Sequence, residues 1–157
     1  MRQKFARRSI LGYGLGGASA ALLGLTSRSQ AASTTFKATM NATSEVPPNQ
    51  SPATGTATVT YDDATKTVTW EGTFTGLSGP ATAAHIHGPA EAGKNAGVIV
   101  PLSPTGTPFT SPFKGSAQLA DDKAAALASA LSAGQAYVNI HTDANKGGEV
   151  RGQLAKA

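Results

Sequence analysis

Three histidines, His85, His87 and His141, are the residues of this 157-residue chain best suited to chemistry. Two stand in Ala84-His85-Ile86-His87-Gly88-Pro89-Ala90, and the third in Tyr137-Val138-Asn139-Ile140-His141-Thr142. On an extended strand His85 and His87 leave the same face about 6 to 7 Å apart, while Ile86 points the other way. In the second segment Val138 and Ile140 share one face, and Tyr137, Asn139 and His141 the other. If the two segments are neighbouring strands, the three imidazoles converge on one ion at metal–nitrogen distances of about 2.0–2.1 Å. Three imidazoles without a thiolate suit Cu(II) or Zn(II) and leave a fourth position for water or substrate. With no soft ligand nearby, copper is favoured over zinc. The competing reading is that the rings hydrogen-bond to backbone or carboxylate groups and bind nothing.

A third polar row follows in Glu149, Arg151 and Gln153, opposed by Val150 and Leu154. Antiparallel pairing across the Thr142–Gly148 loop would set Glu149 near His141 and Arg151 near Asn139. Glu149 then either orients a histidine ring or, the favoured reading, pairs with Arg151 in a structural bridge. Asn139, Glu149 and Arg151 are thus expected to support the site, and no residue is assigned a catalytic role. The chain lacks a G-x-S-x-G elbow and a Walker loop, and its one Gly-rich run, Gly12–Gly17, lies near the N-terminus. Asp62-Asp63 and Asp121-Asp122 read as turn and cap residues, since a calcium site needs further oxygen ligands at suitable spacing. No enzymatic activity is expected beyond, at most, copper redox chemistry.

The elements that must position these residues are mostly strands. From about Thr35 the pattern has period two, rich in Thr, Val, Ile and aromatics, with Gly and Pro between segments. Val68, Trp70 and Phe74 alternate with threonines in Lys66–Gly76, and Ala57, Val59 and Tyr61 do the same just before. The turn Asp62-Asp63-Ala64-Thr65 joins the two runs into a hairpin. Further strands are predicted over Phe36–Ala42, Ala83–His87, Gly97–Leu102, Phe113–Leu119, Ala136–His141 and Glu149–Leu154. Asp121–Ser132 is predicted to be a short helix, with Asp121 or Asp122 as its cap and Gly134 past its end. Ser103–Pro112, with three prolines, is a loop. About eight strands and one helix fit an all-β, two-sheet antiparallel sandwich of the Greek-key or immunoglobulin kind.

Composition bounds the function. The chain has no cysteine, which excludes disulfides, thiolate ligands and a cysteine nucleophile. The net charge of +4 suggests nucleic acid until the charges are located. Arg2, Lys4, Arg7, Arg8 and Arg28 all precede Ala31, and no acid occurs before Glu45. Without residues 1–31, eight basic and nine acidic side chains remain, a net charge of −1, so no nucleic-acid partner is expected. A basic start, a Gly-rich apolar stretch from Ile10 to Leu25 and small residues at Ser29 and Ala31 are the parts of a cleaved signal peptide. Arg7-Arg8-Ser9-Ile10-Leu11 resembles the twin-arginine export motif. The expected domain is therefore residues 32–157, periplasmic or secreted, with no membrane anchor after cleavage.

Glu45-Val46-Pro47-Pro48, the two histidine segments and Gly148-Glu149-Val150-Arg151-Gly152-Gln153-Leu154 together resemble the CHRD domain, a module repeated in chordin and found singly in exported bacterial proteins. The resemblance spans roughly Thr35–Leu154 and implies an extracytoplasmic β-sandwich. It implies no settled activity, and the animal members act in protein binding. The leading expectation is thus a single transition metal on His85, His87 and His141. The alternative is an interaction or scaffold module of the cell envelope that holds no metal.

Overall fold

The computed structural model describes residues 33–104 and 106–157. The expected signal peptide, residues 1–31, lies outside the described residues. Nine strands and one helix follow in chain order: β1 (Thr34–Asn41), β2 (Thr54–Asp62), β3 (Thr67–Thr75), β4 (Ala81–His87), β5 (Val98–Pro101), β6 (Phe113–Gln118), α1 (Asp121–Ser132), β7 (Tyr137–Thr142), β8 (Val150–Gln153) and β9 (Ala155–Lys156). The predicted β2–β3 hairpin forms over its full length, from Thr54↔Thr75 to Asp62↔Thr67. Its turn is held by Asp62, whose Oδ1 accepts the N–H groups of Ala64 and Thr65 at 3.0 Å each.

The two-sheet sandwich is not what the strands build. They form one antiparallel sheet in the order β5-β4-β7-β8-β1-β2-β3-β6, with β9 also pairing β1. A sandwich would face β5-β4-β7-β8 against β1-β2-β3-β6. Here Asn41↔Arg151 and the β1–β9 pairing join those halves edge to edge. The single sheet then curls into a half-barrel around its own apolar face. Alternating sequences do not separate the two solutions, because each asks only that one face of every strand be buried.

Contacts between the ends of the sheet close the curl. Trp70 of β3 donates its indole N–H to Leu102 O, just beyond β5, at 3.0 Å. Phe109 of the proline-rich loop donates its N–H to Ala81 O at 3.1 Å and stacks edge-on with Phe74. Inside lie Met40, Val59, Val68, Ile86, Val138, Ile140 and Val150, all fully buried. Helix α1 contributes Leu127 and Leu131 to the same core. The helix starts from Ala120 without a side-chain cap, contrary to the expected Asp121 or Asp122. Both acids sit in the first turn instead, where they face the positive end of the helix dipole, and Asp121 pairs with Lys66.

Gly115 is one of the tight points of the sheet. A Cβ at this position would lie 2.4 Å from the Trp70 ring. Gly115→Ala is expected to lower unfolding stability by about 1–3 kcal/mol through overpacking, measurable by urea denaturation. An unchanged midpoint would mean that the ring moves aside freely.

Candidate metal centre

On the outer face of β4, β7 and β8 the sequence places polar side chains, yet the fold buries most of them. The register explains which residues meet: His85 faces Asn139, His87 faces Tyr137, Ala83 faces His141, and Asn139 faces Arg151. The loops after β1 and β4 lie over this face, so that His87, Asn139 and Arg151 are buried. One carboxylate from the first of these loops, Glu45, is buried with them.

The three histidines meet as predicted. One potential ligand atom from each lies within 4.8 Å of the other two. His85 Nδ1 is 3.1 Å from His141 Nε2. Ring centroids are 5.0 Å apart for His85 and His141, 5.5 Å for His85 and His87, and 6.4 Å for His87 and His141. Burial lowers the proton affinity of all three rings. His85 falls to about 4, through burial first and then the neighbouring His141 and His87. Neutral rings keep nitrogen lone pairs free for a cation.

Two of the rings are also fixed from behind. His87 Nδ1 donates to Ala96 O and His141 Nδ1 donates to Lys146 O, both at 3.0 Å. These bonds turn Nε2 of both rings inward. There Nε2 of His87 and of His141 each lie 3.0 Å from the end of the Asn139 side chain. Tyr137 supports His87 by stacking on it, with centroids 4.9 Å apart and planes within 4°. Arg151 covers the other side of Tyr137, its guanidinium carbon 3.4 Å from the ring centroid. The same guanidinium donates to Lys94 O at 2.7 Å and to Asn95 Oδ1 at 3.2 Å. It thereby holds the loop whose Ala96 carbonyl orients His87.

Glu149 does not join this group. Among the described residues Lys66–Asp121 is the one salt bridge, so the expected Glu149–Arg151 bridge does not form, and Glu149 contacts no histidine. Its carboxylate accepts from Ser51 Oγ (2.6 Å), Thr142 Oγ1 (2.6 Å), Ser78 N (2.7 Å) and Ser78 Oγ (2.7 Å). Thr142 alternates with His141, so this cluster belongs to the other side of β7. Burial alone would raise the Glu149 pKa; the hydrogen bonds from Ser51, Thr142 and Ser78 outweigh it and take the pKa down to about 2.

Sequence reasoning passed over Glu45 and the stacking role of Tyr137. Glu45 is 3% exposed, and its Oε1 is the one buried side-chain polar atom without a hydrogen-bond partner among the described residues. Burial drives its pKa up to about 7, against the opposing pull of Arg151, the Val46 N–H and the Asn139 amide. A signal was available, since Glu45 is the first acid of the chain and stands in one of the motifs that carry the family resemblance.

Comparison with known proteins supplies the remaining finding. No curated protein and no solved structure matches the chain. The family model described as CHRD domain matches residues 36–154, which takes in the strands from β1 (less its first two residues) to β8 and all residues of the histidine cluster. The chain therefore belongs to the CHRD domain family.

Proposed function

We propose that the domain binds one transition-metal ion through His85, His87 and His141, with copper preferred over zinc. The convergence of three imidazole nitrogens within 4.8 Å, with the His87 and His141 rings already oriented by backbone carbonyls, carries this reading. Three imidazoles without a thiolate suit either ion, and the lack of a soft ligand beside them leans the reading toward copper. Residues 1–31 support export, so the ion would be held in the periplasm or outside the cell. Its role there would be copper handling or storage.

Titrating the purified chain with Cu(II) and with Zn(II) tests the proposal. Micromolar or tighter binding is expected, Cu(II) ahead of Zn(II), with at least a roughly hundredfold loss in His85→Ala, His87→Ala and His141→Ala, or ~2.7 kcal/mol. Binding indifferent to all three substitutions would overturn it. One observation favours a second reading, a rigid interaction module: every inward nitrogen of His87 and His141 already has a hydrogen-bond partner. Under that reading the substitutions lower stability, and added metal leaves the melting temperature unchanged.

A further inference from the structure

His85 differs from the other two rings in how its nitrogens are used. His87 Nδ1 and His141 Nδ1 face carbonyl oxygens, which only accept, so both carry protons. Burial favours the neutral form of all three rings, and Arg151 adds to this at His87. Nε2 of His87 and of His141 therefore present lone pairs to the middle of the cluster.

Nδ1 of His85 lies 3.1 Å from the His141 lone pair. A second lone pair at that distance would repel it, so the metal-free His85 holds its proton on Nδ1 and donates to His141 Nε2. The Asn139 amide completes the set with its NH2 end toward His87 and His141, 3.0 Å from each Nε2. The His87 lone pair has that donor alone, and the His141 lone pair lies between it and His85. No two lone pairs then face each other. The remaining nitrogen, His85 Nε2, has no hydrogen-bond partner among the described residues, nor is it one of their buried unpartnered atoms; on a half-buried side chain it meets solvent.

An ion needs the opposite state at one atom. Two nitrogens bound to one ion at about 2.0–2.1 Å, and about 90–110° apart, stand roughly 2.9–3.4 Å from each other. The 3.1 Å between His85 Nδ1 and His141 Nε2 falls in that range. The His85 atom placed to bind is thus the one that carries the proton, while the ligand atoms of the other two rings are already bare.

We propose that His85 is a tautomeric switch on the metal site, and that metal capture moves its proton from Nδ1 to Nε2. The Nδ1–H bond breaks and an Nε2–H bond forms, with solvent water as the carrier. No proton is released, and nothing is oxidised or reduced. This rests on the metal-binding reading of the cluster. The ion would sit on Nδ1 of His85 and Nε2 of His87 and His141. His85 is free to change state because no backbone carbonyl holds it, whereas the other two rings would have to give up their bonds to Ala96 O and Lys146 O.

Long-range 1H–15N NMR of the full chain, labelled in histidine, reads which nitrogen of each ring is protonated, with and without Zn(II). All three rings are expected to carry the proton on Nδ1 in the metal-free chain. Zn(II) should move the proton of His85 to Nε2 and leave those of His87 and His141 in place. Two methylated forms of His85 give a second readout. With the methyl group on Nε2, Nδ1 is bare from the start, and Zn(II) should bind at least as tightly as to the unmodified chain; with the methyl group on Nδ1, binding should be lost. A metal-free His85 protonated on Nε2, a proton that stays on Nδ1 with Zn(II) bound, or undiminished binding by the Nδ1-methyl form would overturn the switch and leave the metal site standing. Absence of Zn(II) and Cu(II) binding to the unmodified chain would overturn the metal site, and the switch with it.

Discussion

Glu149→Ala is expected to destabilise the domain by about 3–4 kcal/mol, a larger stability effect than any single histidine substitution. The carboxylate gathers donors from three separate segments: Ser51 before β2, Ser78 between β3 and β4, and Thr142 at the end of β7. Asn49 adds to the knot by donating to Glu149 O at 3.0 Å. Removing the anion leaves buried donors facing one another, and Gln in its place would bring a further donor. The pH dependence gives a second readout. Glu149 titrates in the folded state near 2, below its ordinary 4.5, so its contribution is complete above about 4.5 and is lost as the pH falls through about 2. Denaturant titrations between pH 7 and pH 2 should therefore show a shallower acid loss in Glu149→Gln than in the unmodified chain. Parallel curves for the two proteins would contradict the assignment.

The second large effect is expected at Arg151, which is 1% exposed. Its guanidinium lies on Tyr137, which lies on His87, and its hydrogen bonds hold the loop that also orients His87. Arg151→Met keeps much of the volume and removes the fork of donors. The expected cost is about 2–4 kcal/mol in stability, with roughly 10- to 100-fold weaker metal binding because His87 loses its support. Arg151→Lys should recover little of either, since an ammonium group neither spreads over an aromatic ring nor reaches two diverging acceptors at once. Full recovery by lysine would show that charge alone matters at this position.

These residues also mark what the sequence made legible. Period-two alternation revealed the strands, and helix α1 falls on the predicted bounds because Ala-rich composition and Gly134 define it locally. The His-x-His segment and Val138-Asn139-Ile140-His141 fixed which rings share a face, and pairing of β4 with β7 brought them together. Strand partnership was not legible, because it depends on contacts far apart in the chain. Hence one curled sheet stands where two stacked ones were expected. The fate of Glu149 was hidden for a related reason. Gly148, at φ +131°, bends the chain just before β8, and the carboxylate goes to the hydroxyls on the Thr142 side rather than to the histidines. Glu45 was missed because nothing local announces that a loop carboxyl will be buried 90 residues or more from its partners Asn139 and Arg151 in sequence.

The order of strands has a consequence for how the molecule is made. β8 follows β1–β7 in sequence, yet it is an inner strand of the sheet, between β7 and β1. The two halves of the half-barrel are not joined, and Arg151 does not reach Tyr137, until about residue 151 has been synthesised and docked. Folding thus has to wait for contacts spanning most of the chain, which is the slow regime for β proteins. A nascent chain in which β8 has not yet been made exposes two unpaired strand edges, those of β7 and β1, in the middle of the future sheet.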